Sequence, residues 1–314
     1  MKRFVRNIAI FSIILLAVFF VEDALTTCAF HKKRTRKYEV WNVILHEDLR
    51  ADVLIMGNSR AWCQYSPQII DSVFGTCSYN LGMDGSCFDR QLARYDIYRH
   101  YQRQAPKYII QNMDFFTLAR TKGYEREQFM PYLMYPYFRE RISEIESFGF
   151  GELFIPMYRY YKNNVYEEYT KYDYPLVKGF FPLNNVWDGM EMKQMKPYRQ
   201  EVDTNTLNMF VQYIEGVQRE GIKLVFVVAP LYKDVMSIVL NGKEIHGLFD
   251  QLAQEYDIPI LDYADCWLSR DTTYFGNATH LNKLGSELFS LKLCHDLDSL
   301  GFLPKKESQN SLAQ

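Results

Sequence analysis

The chain has 314 residues, with 36 Lys and Arg against 38 Asp and Glu, a formal net charge of −2. Hydrophobic residues make up 48% and charged residues 24%, which fits a folded chain with a sizeable core and excludes a disordered or collagen-like one. Residues 1–37 hold eight Lys/Arg and two Asp/Glu; the remainder carries 28 basic and 36 acidic side chains, a net of −8 that speaks against a nucleic-acid partner.

The chain opens with Lys2, Arg3 and Arg6 ahead of an apolar run from Ile8 to Val21. Fourteen residues match the core of an export signal, while extension to Thr27 gives a segment long enough to cross a bilayer. No small-x-small cleavage site follows, so residues 1–37 read as an uncleaved membrane anchor with a basic stretch, or as a signal whose removal would release the protein. The five positive charges of His31-Lys-Lys-Arg-Thr-Arg-Lys37 speak against export by the positive-inside rule. A place at the outer membrane surface beside anionic lipid is the alternative.

Tyr38 to Arg50 reads as a short helix leading into the main domain, residues 38–300. Val53-Leu-Ile-Met56 is an apolar run bounded by turn signals, as expected of a buried parallel strand. Helical spacing follows over Pro67–Phe74, a strand over Cys77–Leu81, a helix over Phe88–Arg103 and a strand over Lys107–Asn112. From Arg120 to about Asp203 the periodicity fails, in a Tyr-, Phe- and Pro-rich stretch that reads as an insertion shaping a substrate groove. Thr204–Glu220 is again helical, Lys223–Ala229 is the strongest strand, Glu244–Tyr256 a helix, Ile258–Asp262 a fifth strand and Lys283–Leu297 a closing helix. This alternation predicts an α/β fold with a central parallel five-stranded sheet and helices on both faces. The polar tail, residues 301–314, reads as disordered.

Open α/β sheets bind ligands at the C-terminal edge of their strands. Ser59, in Gly57-Asn58-Ser59, follows the first strand there and needs an adjacent base to act as a nucleophile. Of six histidines only His280, in Asn277-Ala-Thr-His280-Leu-Asn282, lies after the fifth strand and before the closing helix. Gly82 follows the second strand, where its N–H could join that of Ser59 as an oxyanion donor, and Asn112 ends the third with a side-chain amide. A tight turn at Gly82 and a strand-end cap at Asn112 are the structural alternatives. The six cysteines lack metal-type CxxC spacing; Cys77 and Cys87 could pair in an oxidising compartment. The aromatic content, 16% with 24 tyrosines, suits carbohydrate contacts as well as core packing.

Gly57-Asn-Ser59-Arg-Ala, Asn80-Leu-Gly82, Gln111-Asn112-Met-Asp114 and Asn277-Ala-Thr-His280-Leu-Asn resemble, in order, the four blocks of the SGNH (GDSL-like) hydrolase superfamily. More narrowly, the chain resembles the membrane-anchored SGNH-like proteins of Bacteroidetes-type bacteria. The resemblance covers about residues 50–295 and implies a flavodoxin-like three-layer α/β/α sandwich. It also implies hydrolysis or transfer of acyl esters, often acetyl groups on glycans, with no metal or organic cofactor. By motif position Ser59 is the nucleophile, His280 the general base, and Gly82 and Asn112 the oxyanion donors. Two departures stand out. The third block lacks its glycine, so Asn112 and Asp114 both compete for the oxyanion place. Asn277 stands where the family has its triad aspartate, leaving three outcomes: Asp265 or Asp271 supplies the carboxylate, a Ser–His dyad suffices, or the site only binds.

The expectation is an extracytoplasmic, membrane-tethered serine esterase or O-acyltransferase at the periplasmic face, acting on a small-molecule or glycan acyl ester. The alternative is a catalytically silent glycan-binding or assembly protein of the cell envelope.

Overall fold

Residues 1–120, 125–165, 175–190, 192 and 195–304 are described by a computed structural model. The tail from 305 onward and parts of the aromatic stretch lie outside the described residues.

Five short runs form the sheet, apolar in all but the second: β1 (Val53–Met56), β2 (Ser78–Asn80), β3 (Tyr108–Met113), β4 (Lys223–Val228) and β5 (Ile260–Asp262). All pairings are parallel, and the order is β2-β1-β3-β4-β5. That order is the flavodoxin-like one, with its switch point between β1 and β3. β1 is buried along its whole length, as a central strand covered on both faces must be.

Helices cover both faces. α1 (Lys2–His31), α2 (Arg36–His46), α3 (Ser59–Gln64), α4 (Pro67–Phe74) and α5 (Phe88–Tyr101) precede β3. α6 (Pro136–Ser143), α7 (Phe150–Phe154) and α8 (Tyr158–Lys162) lie in the aromatic stretch. α9 (Thr204–Arg219), α10 (Gly242–Glu255) and α11 (Lys283–Ser299) belong to the second half. α11 packs on α3 and α4; α5 packs on α9 and α2. Phe88 meets Phe210 edge-on at 4.6 Å, and Tyr95 meets Tyr213 at 5.4 Å, joining α5 to α9. Such aromatic pairs add to the area that they bury.

The sequence does not mark α3, which begins directly at Ser59. It also does not mark a small antiparallel hairpin, β6 (Phe275–Asn277) and β7 (His280–Leu281), which carries the histidine in place of a plain loop. The aromatic stretch is less irregular than its composition suggests, since three of its segments fold into short helices.

α1 is a single 30-residue helix whose most apolar window has a mean hydropathy of 2.5 and no buried residue. Its last turns are part of the domain. Phe30 is buried, Asp23 pairs with Arg159, Thr27 Oγ1 lies 2.5 Å from the Tyr160 hydroxyl, and His31 Nε2 lies 3.0 Å from the carbonyl of Pro131. The basic stretch is folded in as well. Lys37 pairs with Glu125 (3.0 Å) and Glu127 (2.6 Å), Arg34 with Glu47, and Arg36 lies over the rings of Trp62 and Phe181. No disulfide joins Cys77 to Cys87.

Candidate active site

β1 ends at Gly57, whose φ of +147° is one that residues with a side chain rarely adopt. A Cβ there would stand 2.7 Å from Asn112 Cβ and 2.8 Å from Ala61 Cβ. Only glycine lets the chain turn this tightly from strand to helix. Asn58 caps α3, its Oδ1 accepting from the Arg60 N–H at 3.0 Å, and Ser59 falls at the first helical position. The strand-edge serine is therefore held by a local turn that the sequence Gly-Asn-Ser encodes.

Behind the turn lies a buried polar chain. The Tyr65 hydroxyl donates to Asn112 Oδ1 (2.7 Å), Asn112 Nδ2 to Asn58 Oδ1 (3.4 Å), and Asn58 Nδ2 to Asp114 Oδ2 (2.8 Å). Arg60 closes the chain with an ion pair to Asp114 at 3.0 Å, both side chains almost fully buried. Every member is satisfied by another, which is the condition for such a network to rigidify a site.

Ser59 and His280 line one cavity of about 400 Å³. Its wall also includes Arg60, Asp84, Gly85, Asp114, Phe116 and Thr279. Two elements more than 200 residues apart in sequence thus meet at one cavity beside the ends of β1 and β3. The Nε2 of His280 is buried and has no hydrogen-bond partner, so the Ser59 hydroxyl is not bonded to it in this conformation.

The other ring nitrogen is engaged. His280 Nδ1 lies 2.9 Å from Asn277 Oδ1. That same oxygen accepts from the backbone N–H groups of Thr279 and His280, each at 3.0 Å. Two N–H donors identify the Asn277 atom as the carbonyl oxygen, and an amide oxygen can only accept. Nδ1 must therefore carry the proton. Thr279 Oγ1, 3.1 Å from Nδ1, donates onward to the same oxygen at 3.2 Å. Nε2 is left as a buried, unpartnered acceptor, the tautomer required of a general base. Burial, reinforced by the Arg60 charge and only partly offset by Asp114, lowers the His280 pKa to about 4. The ring is neutral at pH 7 and weakly basic.

Several expected residues take other places. Gly82 does not line the cavity; its N–H donates to Asn80 Oδ1 at 2.8 Å, and Trp62 backbone packs against its Cα. Asn112 is fully buried beneath the cavity floor with its amide in the network above. Both follow the structural alternatives, turn and strand-end brace. The glycine on the cavity wall is Gly85, and the strand-end residue there is Asp114. Asp265 is largely exposed and lies near Arg270, while Asp271 caps a turn by accepting from Thr273 N–H. Neither reaches His280, whose Nδ1 partners are Asn277 and Thr279, so neither supplies the missing carboxylate.

Two wall residues escape the sequence reading. Arg60 is hidden there because its side chain folds inward onto Asp114. Asp84 has its carboxyl pKa raised by burial, against the opposing pull of Arg36 and Lys37 and a backbone hydrogen bond from Gly85. The aromatic stretch was expected to shape the groove, yet among the described residues none of 125–203 lines the cavity. Its part near the site is structural. Lys178 carbonyl accepts from Asn80 N–H at 2.9 Å, Phe181 N–H donates to Trp62 carbonyl at 2.9 Å, and the Phe181 and Trp62 rings stack at 4.6 Å. Gly179 (φ +83°) lets this segment touch β2, since a Cβ there would come 2.0 Å from Asn80 carbonyl. Among the described residues no cluster of His, Cys, Asp and Glu is arranged to hold a metal ion.

No family model matches the sequence. No curated protein matches it. Solved structures do align with the chain. A protein from Bacteroides fragilis to which acylhydrolase activity is ascribed is 14% identical, with a TM-score of 0.38, over 78% of this chain and 86% of that one. A protein from Desulfitobacterium hafniense ascribed to the G-D-S-L lipolytic family is 11% identical, with a TM-score of 0.42, over 77% and 97%. An acetylxylan esterase from Geobacillus stearothermophilus, Axe2, is 9% identical, with a TM-score of 0.39, over 82% and 98%. Structural neighbours of this chain are thus GDSL-type acylhydrolases and esterases, at a distance where the site has to be read from its own residues.

Proposed function

We propose that the protein is a membrane-tethered serine esterase or O-acyltransferase that works through an acyl-enzyme. The observation that carries this reading is the shared cavity of Ser59 and His280, with the imidazole proton fixed on Nδ1 by Asn277. Catalysis requires the Ser59 hydroxyl to reach Nε2 within the cavity that both residues line. His280 then takes the proton, Ser59 Oγ attacks the ester carbonyl carbon, and the tetrahedral oxyanion forms. The Ser59 N–H at the start of α3 and the Arg60 guanidinium on the cavity wall are the donors available to it. Collapse expels the alcohol, which takes the proton back from Nε2. Water or a sugar hydroxyl, deprotonated by the same nitrogen, resolves the acyl-serine.

A second reading is favoured by one observation. His280 lacks a carboxylate partner and sits near Arg60, both of which disfavour the imidazolium that the reaction requires. A protein that only binds an acylated glycan in the same cavity would carry such a site. An active-site fluorophosphonate probe separates the two. Labelling at Ser59 that vanishes in Ser59→Ala supports catalysis, and absence of labelling in the intact protein supports binding.

For the tether, α1 is taken as an uncleaved anchor that places the domain at the periplasmic face. Removal of α1 would strip Asp23 from Arg159 and Thr27 from Tyr160 and expose the pocket that Phe30 fills. Protease accessibility of the domain in intact and lysed cells tests the side of the membrane.

A further inference from the structure

Five large apolar side chains of one short stretch are exposed to solvent: Phe150 (73%), Phe154 (63%), Ile155 (46%), Tyr158 (40%) and Tyr161 (57%). A patch of that kind on a folded domain marks an interaction surface. Its position is fixed by contacts to α1. The Met157 N–H donates to Asp23 Oδ1 at 2.9 Å, Arg159 pairs with Asp23, and the Tyr161 hydroxyl lies 3.3 Å from Glu22 Oε1. The stretch therefore runs beside the point where the apolar run of α1 meets its first acids.

Between the two lies an apolar groove of about 600 Å³, walled by Leu16 and Phe19 of α1 and by Ile155, Met157, Tyr158 and Tyr161. Leu16 precedes Glu22 by six residues, so at 1.5 Å per residue it stands about 9 Å further along the helix, away from the domain. With α1 spanning a bilayer, that wall is inside the hydrocarbon and the groove cannot open to bulk water.

We propose that residues 150–162 form a foot immersed in the leaflet facing the domain, and that the groove against α1 holds a phospholipid acyl chain. This goes beyond the proposed chemistry but rests on the anchor reading of α1. Lipid is the occupant because the groove wall is continuous with the rest of the apolar surface of α1, where Ile13, Ile14 and Phe20 are equally exposed. The local backbone also suits that medium. Ile155 N–H donates to Gly151 carbonyl (3.0 Å), Tyr158 N–H to Ile155 (3.2 Å), and the Tyr160 and Tyr161 N–H groups to Met157 (3.0 and 3.1 Å). Peptide groups satisfied in this way tolerate hydrocarbon. Lys162 is the charged residue of the groove wall, and Asp23 on the neighbouring turn of α1 is neutralised by Arg159. Lys162, its ammonium 5.7 Å from the Tyr158 ring, can lay its stem on the aromatic face and reach the headgroups.

The test uses the full chain in vesicles of phosphatidylethanolamine and phosphatidylglycerol, with the photo-crosslinker p-benzoylphenylalanine placed in turn at Phe154, Tyr158, Phe11 and Leu300. Phe11 reports on α1 itself. Leu300 is an exposed control beside Phe302, which packs on Tyr108 at the N-terminal end of β3. The proposal expects phospholipid adducts at Phe154, Tyr158 and Phe11, each at least about tenfold above Leu300. Lipid adducts at Phe11 without any at Phe154 and Tyr158 overturn the foot and leave the anchor standing. Protein adducts in place of lipid at Phe154 also overturn it. No lipid adduct at Phe11 removes the anchor and the foot together.

Discussion

The amide oxygen of Asn277 stands 2.9 Å from Nδ1 of His280, anchored there by two backbone N–H groups. It performs half the task of a triad carboxylate. It fixes the tautomer and orientation of the ring, but it brings no charge to stabilise the imidazolium. Replacing a triad aspartate by asparagine costs a serine protease about 10⁴ in turnover, largely through the wrong tautomer. Here the tautomer is held correctly, so the deficit is the electrostatic part alone. We expect Asn277→Asp to raise turnover of p-nitrophenyl acetate by about 10- to 10²-fold, a gain of roughly 1.4–2.7 kcal/mol in transition-state stabilisation. A fall in rate would mean that the oxygen's hydrogen bonds matter more than its charge.

Ser59→Ala should abolish fluorophosphonate labelling, and His280→Ala should slow it by about 10³-fold or more, since nucleophile and base act as one unit. The double variant should be no slower than Ser59→Ala alone. Burst kinetics with an activated ester report the acyl-enzyme directly.

The depressed pKa of His280, about 4, moves the acid limb of the pH–rate profile. Activity should persist to near pH 4, where a free imidazole would already fail below about 6.5. Asn277→Asp should shift that limb upward. The same shift acts on stability. Between about pH 6.5 and 4 the unfolded chain binds a proton that the folded one does not, so stability falls as pH drops through this window and the His contribution levels off below it. Urea denaturation in detergent at pH 7 and 5 should show a smaller drop for His280→Gln than for the native chain.

The buried pair of Arg60 and Asp114 makes an asymmetric prediction. Asp114→Leu leaves a buried guanidinium without a counter-charge and should cost about 3–5 kcal/mol. Arg60→Leu together with Asp114→Leu should cost far less than the sum of the two single changes, because neither charge is then stranded. Equilibrium denaturation of the four proteins closes the cycle.

Gly57→Ala should be worse than its size suggests. The added methyl meets Asn112 and Ala61 at under 3 Å, in a backbone conformation already foreign to alanine. Strain and overpacking together should cost about 2–5 kcal/mol. The active site should also be lost, since Ser59 is two residues on; circular dichroism melts and probe labelling check both.

Much of the sheet was legible because most of its strands are short apolar runs followed by a polar or glycine residue, as at Gly57. Ser59 and His280 could be paired because Ser59 follows the first strand and His280 lies in the loop between the fifth strand and the closing helix, at the rim where such a sheet gathers its strand ends. The oxyanion residues were less legible for a local reason. β3 runs one residue past Asn112, so the side chain at the rim becomes Asp114. Similarly, the Asn80 side chain turns back onto the Gly82 N–H, and the cavity wall falls to Gly85. Both outcomes depend on side-chain hydrogen bonds that periodicity does not encode. The aromatic stretch was unreadable because its partners are distant. Tyr160 finds Thr27, and Arg159 finds Asp23, across more than 130 residues.

Arg36, five residues beyond the last turn of α1, lies over the ring of Trp62, which itself belongs to the helix that begins with Ser59. So short a stalk leaves little freedom of reach. With α1 in a bilayer and Ser59 the nucleophile, as proposed, that serine patrols a thin shell next to the membrane, and an ester further out is beyond it however abundant. Encounter then scales with how much acylated material is brought to that surface per unit area, so substrates carried by the envelope itself hold an advantage over those dissolved in the surrounding fluid.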